Sequence, residues 1–294
     1  MASHRLAKIP LKYFDVTGYS VAGEESVVAV PQLDCCFDIG KAPDQFISIN
    51  HVLLSHGHMD HAAGIAYYLS HRNFDGQVPG TVLAPKNLIS PLEQIIEGWG
   101  RLDGNRIPAN LIGVEAGDEF AIKPNLFARV FSTPHCYGSI GFTVLEKRKK
   151  LKPEFKKLTG PKIVALKQQG VEIEVHLDLP LVTYLGDTGP MTFETLEFIP
   201  KSKVLITECT FYEEDHKDRA NAGNHMHISD FVKQLDRLDN EHIIITHATQ
   251  RTNLTQTKRL LAKAIPEAWK DKIHLLMDRE YLKRSPSLKG EDKN

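Results

Sequence analysis

Three histidines and an aspartate fall within six residues in the run Ser55-His56-Gly57-His58-Met59-Asp60-His61. Imidazole nitrogen and carboxylate oxygen are donors that zinc favours, with manganese and iron as competitors. His56 and His58 can present two imidazoles to one ion. Asp60 and His61 can supply an oxygen and a nitrogen to a second ion beside it. One histidine near a strand end is more often structural than ligating, but four donors at this density point to metal. A pair of cations suits hydrolysis, because it lowers the pKa of water and stabilises the oxyanions of an in-line displacement. Asp60 is placed to orient or deprotonate that water.

The other donors must come from strand ends elsewhere, since loops on a rigid sheet carry function. The apolar run His51-Val52-Leu53-Leu54 feeds directly into the first loop. His135 follows Ala128-Arg129-Val130-Phe131, Asp187 follows Val182-Thr183-Tyr184-Leu185-Gly186, and His247 follows His242-Ile243-Ile244-Ile245-Thr246. Each is a metal-capable side chain directly after a β-rich run. With the first loop they complete two ligand sets.

Strands are expected over 26–30, 34–39, 52–54, 127–131, 139–145, 181–185, 203–207 and 242–246. Helices are expected from 64–70 and over 90–102, 229–238 (with Ser229 as N-cap) and 255–265. This mixture predicts a layered α/β sandwich. No internal repeat or long linker interrupts the chain, so residues 1–294 are read as a single domain.

The net charge of -1 supplies no global attraction for nucleic acid or membrane, so any such partner needs a local patch. One stretch qualifies: Lys147, Arg148, Lys149, Lys150, Lys152, Lys156, Lys157, Lys162 and Lys167 stand against only Glu146 and Glu154. It is read either as a solvated loop or hairpin or as an arm that contacts phosphates. No apolar run is long enough to span a bilayer, and the basic start, residues 1–12, lacks a following apolar segment for secretion. Cys35, Cys36, Cys136 and Cys209 show no CxxC spacing, which suits a reducing cytoplasm. Trp99 and Phe142 are read as packing rather than base-stacking residues, and Cys136 as a buried or supporting thiol beside His135.

His56-x-His58-x-Asp60-His61, followed in order by His135, Asp187 and His247, resembles the metallo-β-lactamase superfamily along most of the chain. The resemblance implies a four-layer αβ/βα sandwich with a two-metal site at the edge of the facing sheets, holding two Zn2+ per chain. It implies that His56, His58 and His135 hold one zinc, that Asp60, His61 and His247 hold the other, and that Asp187 bridges them. Thr207-Glu208-Cys209-Thr210-Phe211, followed by Asn224-His225-Met226-His227-Ile228-Ser229, is similar to the tRNase Z branch, and His225 lies 22 positions before His247. That likeness implies that His225 protonates the leaving alkoxide and that Glu208 orients it. His227 is the weaker candidate, a support for the site or a solvent-facing side chain.

Phe37-Asp38-Ile39-Gly40-Lys41-Ala42-Pro43, Leu158-Thr159-Gly160-Pro161 and Leu166-Lys167-Gln168-Gln169-Gly170 resemble short plant-type members. The lysine-rich stretch, about 146–170, stands where the family carries its tRNA-gripping arm, though it is shorter than the full glycine- and proline-rich arm. Asp15-Val16-Thr17-Gly18-Tyr19-Ser20 stands where the family has a Gly-Thr-Gly element. The resemblance implies removal of the 3′ trailer from precursor tRNA, leaving a 3′-hydroxyl, by a homodimer. Two other functions share parts of this pattern: a small-molecule thioesterase or lactonase, and a non-catalytic RNA-binding scaffold. The seven-donor set argues against the scaffold, because a decayed site loses ligands.

Overall fold

The computed structural model describes residues 6–282. The first five residues of the basic N-terminal stretch, and the last twelve of the single domain expected over 1–294, lie outside the described residues. Two sheets carry the fold. The first runs β1 (Ala7–Pro10), β2 (Asp15–Val21), β3 (Glu25–Val30), β4 (Cys35–Phe37), β5 (His51–Leu53), β6 (Thr81–Pro85) and β7 (Asn110–Val114), each strand beside the next. The second runs β8 (Glu119–Lys123), β9 (Leu126–Ser132), β10 (Ile140–Leu151), β11 (Glu174–Tyr184), β12 (Val204–Glu208), β13 (His242–Thr246) and β14 (Ile273–Leu275), again in order. In each sheet the first three pairings are antiparallel and the last three parallel, with the middle strand (β4 or β11) belonging to both runs. The same topology therefore occurs twice, although the sequence shows no repeat.

The layers follow from strands that are apolar on both faces. In β3, Val28 and Val30 point between the sheets while Val27 and Ala29 point outward. In β13, Ile244 points inward while Ile243 and Ile245 point outward. This period-two division is what a sheet covered on both sides requires. Helices α1 (Met59–Ala62), α2 (Ile65–Phe74) and α3 (Ile89–Asp103) follow β5 and β6, and Tyr68, Leu69, Leu92 and Ile96 cover the outer face of the first sheet. In the second sheet α4 (Gly160–Gln168) sits between β10 and β11, and α5 (Thr192–Thr195), α6 (Lys217–Ala222), α7 (Ile228–Gln234) and α8 (Leu254–Ala264) come after the meander, with Phe193, Phe231, Leu235 and Leu261 on that sheet's outer face. The result is the four-layer αβ/βα sandwich. Each fully buried aliphatic or aromatic side chain contributes about 1.5–3 kcal/mol.

Several local expectations are revised. The N-cap of α7 is His227, whose side chain accepts from the Ser229 N–H, not Ser229 itself. His227 is buried, and its Nε2 lies 3.0 Å from the Glu213 carbonyl, so it is a structural cap rather than a solvent-facing group. Cys136 is exposed, whereas Cys35, Cys36 and Cys209 are buried and unbridged. Phe142 is core, and Trp99 is a surface residue at 56% exposure. No helix among the described residues is long and apolar enough to cross a membrane.

The lysine-rich stretch forms neither a plain loop nor part of the sandwich. β9 pairs with β10 only as far as Glu146, and β12 pairs with β11 only over Val182 to Tyr184. Beyond those points Arg148 to Leu151 pair solely with Glu174 to Leu177, making a two-stranded ribbon that leads into α4. The register shifts between Val144 and Leu145, which kinks the ribbon as it leaves the sheet.

Candidate metal centre

The C-terminal ends of the parallel strands reach one edge of the sandwich, where open α/β sheets place ligands. β5 ends two residues before Ser55 and hands the chain to the first histidine loop. β11 ends at Tyr184, three residues before Asp187, and β13 ends one residue before His247. Antiparallel β9 reaches the same edge, because Ser132 pairs with Ile140 while Phe142 pairs with Tyr184. His135 thus enters from the β9–β10 loop. The close packing needs glycine beside Asp187: Gly186 has φ +63°, and a Cβ there would lie 2.8 Å from the Ser55 Cβ. Gly64 likewise holds the histidine loop against residues 41–42, where a Cβ would meet the Ala42 nitrogen at 2.4 Å.

All seven expected donors meet. His58 Nδ1 lies 3.0 Å from His56 Nε2 and 3.3 Å from His135 Nε2. His247 Nε2 lies 3.4 Å from His61 Nε2 and 3.3 Å from Asp60 Oδ2. A single oxygen, Oδ2 of Asp187, joins the two groups. It is 3.3 Å from both His61 and His247, and 3.8 Å from both His56 and His135. Four donors about 2.1 Å from a tetrahedral ion stand roughly 3.4 Å apart. The donor spacing therefore fits metal coordination, and the groups His56/His58/His135/Asp187 and Asp60/His61/His247 are each compact enough that they could hold an ion.

The electrostatics fit as well. Burial, reinforced by the neighbouring His61, holds His56 well below its ordinary pKa, and burial also lowers His135. Both are then neutral, as ligands must be. Burial would raise Asp187 and Asp60. His247 and His61 more than offset this, so both carboxyls lie below their ordinary values and are ionised. His61 is drawn the other way. Burial opposes its charge, but Asp187 and Asp38 hold its pKa well above normal. A bound cation would supply the positive charge that these carboxylates demand.

Residues not anticipated as functional fix the candidate donors. Asp38, fully buried, accepts from Ser55 N–H at 2.7 Å, Ser55 Oγ at 2.9 Å and Tyr184 OH at 2.6 Å, and its Oδ2 lies 2.7 Å from His61 Nδ1. With Nδ1–H on a carboxylate, His61 presents Nε2 to the centre. Ser55 Oγ contacts His56 Nδ1 at 2.9 Å, and Thr210 Oγ1 contacts His247 Nδ1 at 2.9 Å. Asp38, Asn224 and His247 all adopt positive φ, of 53°, 51° and 61°. These are the non-glycine residue types that best tolerate it, and such strain gathers where a site demands it. The sequence signal for Asp38 was an acid in the apolar run Cys35-Cys36-Phe37-Asp38-Ile39.

Glu208 and His225 also meet at this edge, with Nδ1 2.7 Å from Oε1. Glu208 is completely buried and accepts from Thr188 N–H at 2.7 Å, Met226 N–H at 3.1 Å and the Thr210 hydroxyl. Both its oxygens are thus occupied by donors. That argues against the alternative grouping of Asp187, Glu208, His225 and His247 as a metal set. The His225 ring stacks on His247 at 5.3 Å and leaves Nε2 without a protein hydrogen bond among the described residues. Burial opposes a charge on His225, but the Glu208 carboxylate overcomes it and raises the pKa to about 9.

Asp38→Asn keeps the shape but weakens the hold on His61. Metal affinity is expected to fall about 10- to 100-fold, read by competition with a chromogenic chelator. Unchanged affinity would remove Asp38 from the site.

Residues 32–248 match the family model described as a Beta-lactamase superfamily domain. A tRNase Z of Arabidopsis thaliana is 31% identical over 266 residues, covering 90% of this chain and 95% of that protein. The chloroplastic tRNase Z of the same plant is 28% identical, covering 87% and 73%. Among solved structures, the human short-form tRNase Z superposes with a TM-score of 0.56 at 16% identity, covering 80% of this chain and 93% of that one. The metallo-beta-lactamase fold protein YhfI of Bacillus subtilis gives 0.59 at 13%, covering 87% and 93%. The two structures share the fold; the plant sequences narrow the kinship. This chain belongs to the tRNase Z family of the metallo-β-lactamase superfamily.

Proposed function

We propose that the protein is a zinc-dependent endoribonuclease that removes the 3′ trailer from precursor tRNA and leaves a 3′-hydroxyl on the tRNA. The observation that carries this reading is the Glu208–His225 pair, 2.7 Å apart, beside a cluster of seven metal donors. When bound, two ions supply Lewis acidity and charge stabilisation at the scissile phosphate. His56, His58 and His135 would hold one, Asp60, His61 and His247 the other, with Asp187 between them. Zinc suits this nitrogen-and-oxygen donor set, with manganese or iron as the competing occupants.

The chain's own residues then divide the work. Asp60, ionised and fixed by the Gly23 N–H at 2.9 Å, orients the attacking water. His225, held charged by Glu208, donates its Nε2 proton to the departing 3′ oxygen. A thioesterase or lactonase would need neither member of that pair. The compartment we propose is the cytoplasm, where the buried cysteines stay reduced. We also propose a homodimer, for which the exposed Tyr67, Ile95, Trp99 and Leu102 on α2 and α3 offer an apolar face.

The protruding ribbon is the proposed RNA contact, with its active positions narrowed. Lys147 pairs with Glu119, Arg148 with Glu146, Lys152 with Glu172 and Lys167 with Glu174. Folding brings Glu119, Glu172 and Glu174 to the ribbon from beyond the basic stretch, so the cluster is less basic than its local composition. Lys149, Lys150, Lys156, Lys157 and Lys162 have no such partner among the described residues and are free to meet phosphates.

The purified protein should cut trailer-bearing precursor tRNA in preference to thioesters and lactones; rapid thioester or lactone turnover with intact RNA would overturn the reading. His225→Ala should lower RNA turnover about 10²- to 10⁴-fold while both metals remain bound. The acid form of His225 exists below its raised pKa of about 9 and is lost above it. Glu208→Gln removes the charge that raises this pKa, so the basic limb of the pH–rate profile should move to lower pH. A fixed basic limb would mean another group is the acid.

Replacing the five free lysines by alanine should weaken RNA binding and flatten its log–log salt dependence by about 0.7–0.9 for each phosphate that is no longer neutralised. A slope equal to the parent's would release the ribbon from this role.

A further inference from the structure

Two residues beyond His135, Tyr137 is the most exposed large apolar side chain among the described residues, at 90%. Its neighbours are held tightly. The Thr133 N–H donates to the Ser139 carbonyl at 3.1 Å, and the Ser139 N–H to the Cys136 carbonyl at 3.1 Å. Ser139 Oγ bonds the Thr133 carbonyl at 2.7 Å, and the Asn224 side-chain amide donates to the His135 carbonyl at 3.1 Å. Gly138, at φ +77°, lets the tip pass so close to Asn87 that a Cβ would lie 2.4 Å from its Oδ1. The backbone on both sides of Tyr137 is therefore fixed. The ring itself has no hydrogen bond, cation or aromatic partner among the described residues, and packing gives no reason for it.

The position explains what packing does not. His135 touches His58 at 3.3 Å, so the Tyr137 loop meets the first histidine loop at the mouth of the centre. The RNA that bears a 3′ trailer is single-stranded near the cut, and unpaired bases are bound by stacking on aromatic rings. A ring on a pinned loop offers that face with little entropy left to lose. We propose that Tyr137 is a stacking platform for the nucleobase beside the scissile phosphodiester, a positioning residue that registers the strand over the metal centre. This rests on the ribonuclease function proposed above.

The test measures binding in a His225→Ala background, so that the RNA is not consumed. Trailer-bearing precursor tRNA is compared with the same RNA made abasic on either side of the cut. Tyr137→Ala should raise Kd for intact RNA about 5- to 150-fold, while Tyr137→Trp and Tyr137→Phe bind like the parent. One abasic RNA should show the same loss with Tyr137 present and no further loss with alanine. Equal Kd values for the tyrosine and alanine proteins on intact RNA would overturn the platform. Should the alanine variant fail to fold, the abasic series on the tyrosine protein decides alone: no loss with either abasic RNA overturns it. RNA bound with this dependence but not cut by the wild-type protein would overturn the ribonuclease reading and leave the platform standing. RNA not bound at all would overturn both.

Discussion

One carboxylate oxygen, Oδ2 of Asp187, stands within 3.8 Å of four imidazole nitrogens in a buried position. A charge so placed is costly unless compensated. His56, His58 and His135 converge on one side of it, and Asp60, His61 and His247 on the other. The rest of the molecule can be understood as the apparatus that brings four chain segments to that oxygen. Gly186 removes the side chain that would collide with Ser55, and Asp38 ties Ser55, His61 and Tyr184 together from behind.

The duplicated sheet topology makes this convergence possible. Each sheet is a meander that becomes a run of parallel strands, and the parallel strands deliver their C-terminal ends to one edge. The first sheet contributes Asp38 and the first histidine loop; the second contributes His135, Asp187, Glu208 and His247. The apolar centre between the sheets, from Val28 and Phe37 to Val182 and Ile244, sets their separation. The candidate donors are thus held by elements whose own packing leaves little freedom, as a preorganised centre requires.

Much of the centre was legible because ligand chemistry leaves local marks. The donors in His56-Gly57-His58-Met59-Asp60-His61 are adjacent in sequence, and the later donors each follow a Val/Ile-rich strand. The strands β3, β5, β9 and β13 lay close to their expected bounds for the same reason. Supporting groups were less visible. Asp38 looked like part of a strand, and its role exists only because β4, β5 and β11 come together. Ser229 had the chemistry of an N-cap, but the buried His227 two residues earlier takes that place. The lysine-rich stretch hid its partners, since Glu119, Glu172 and Glu174 reach it only through the folding of the chain. For Cys136 the buried alternative fails, because adjacency to a metal-capable residue does not imply burial: Cys136 and Tyr137 are both exposed beside Gly138.

The proposed pair of ions sharing Asp187 can be counted by elemental analysis of the metal bound per chain. Two equivalents are expected in the wild-type protein, with metal lost from both positions in Asp187→Ala, because both donor sets are opened at once. A wild-type protein saturating at one equivalent, or an Asp187→Ala protein that retains two, would contradict it.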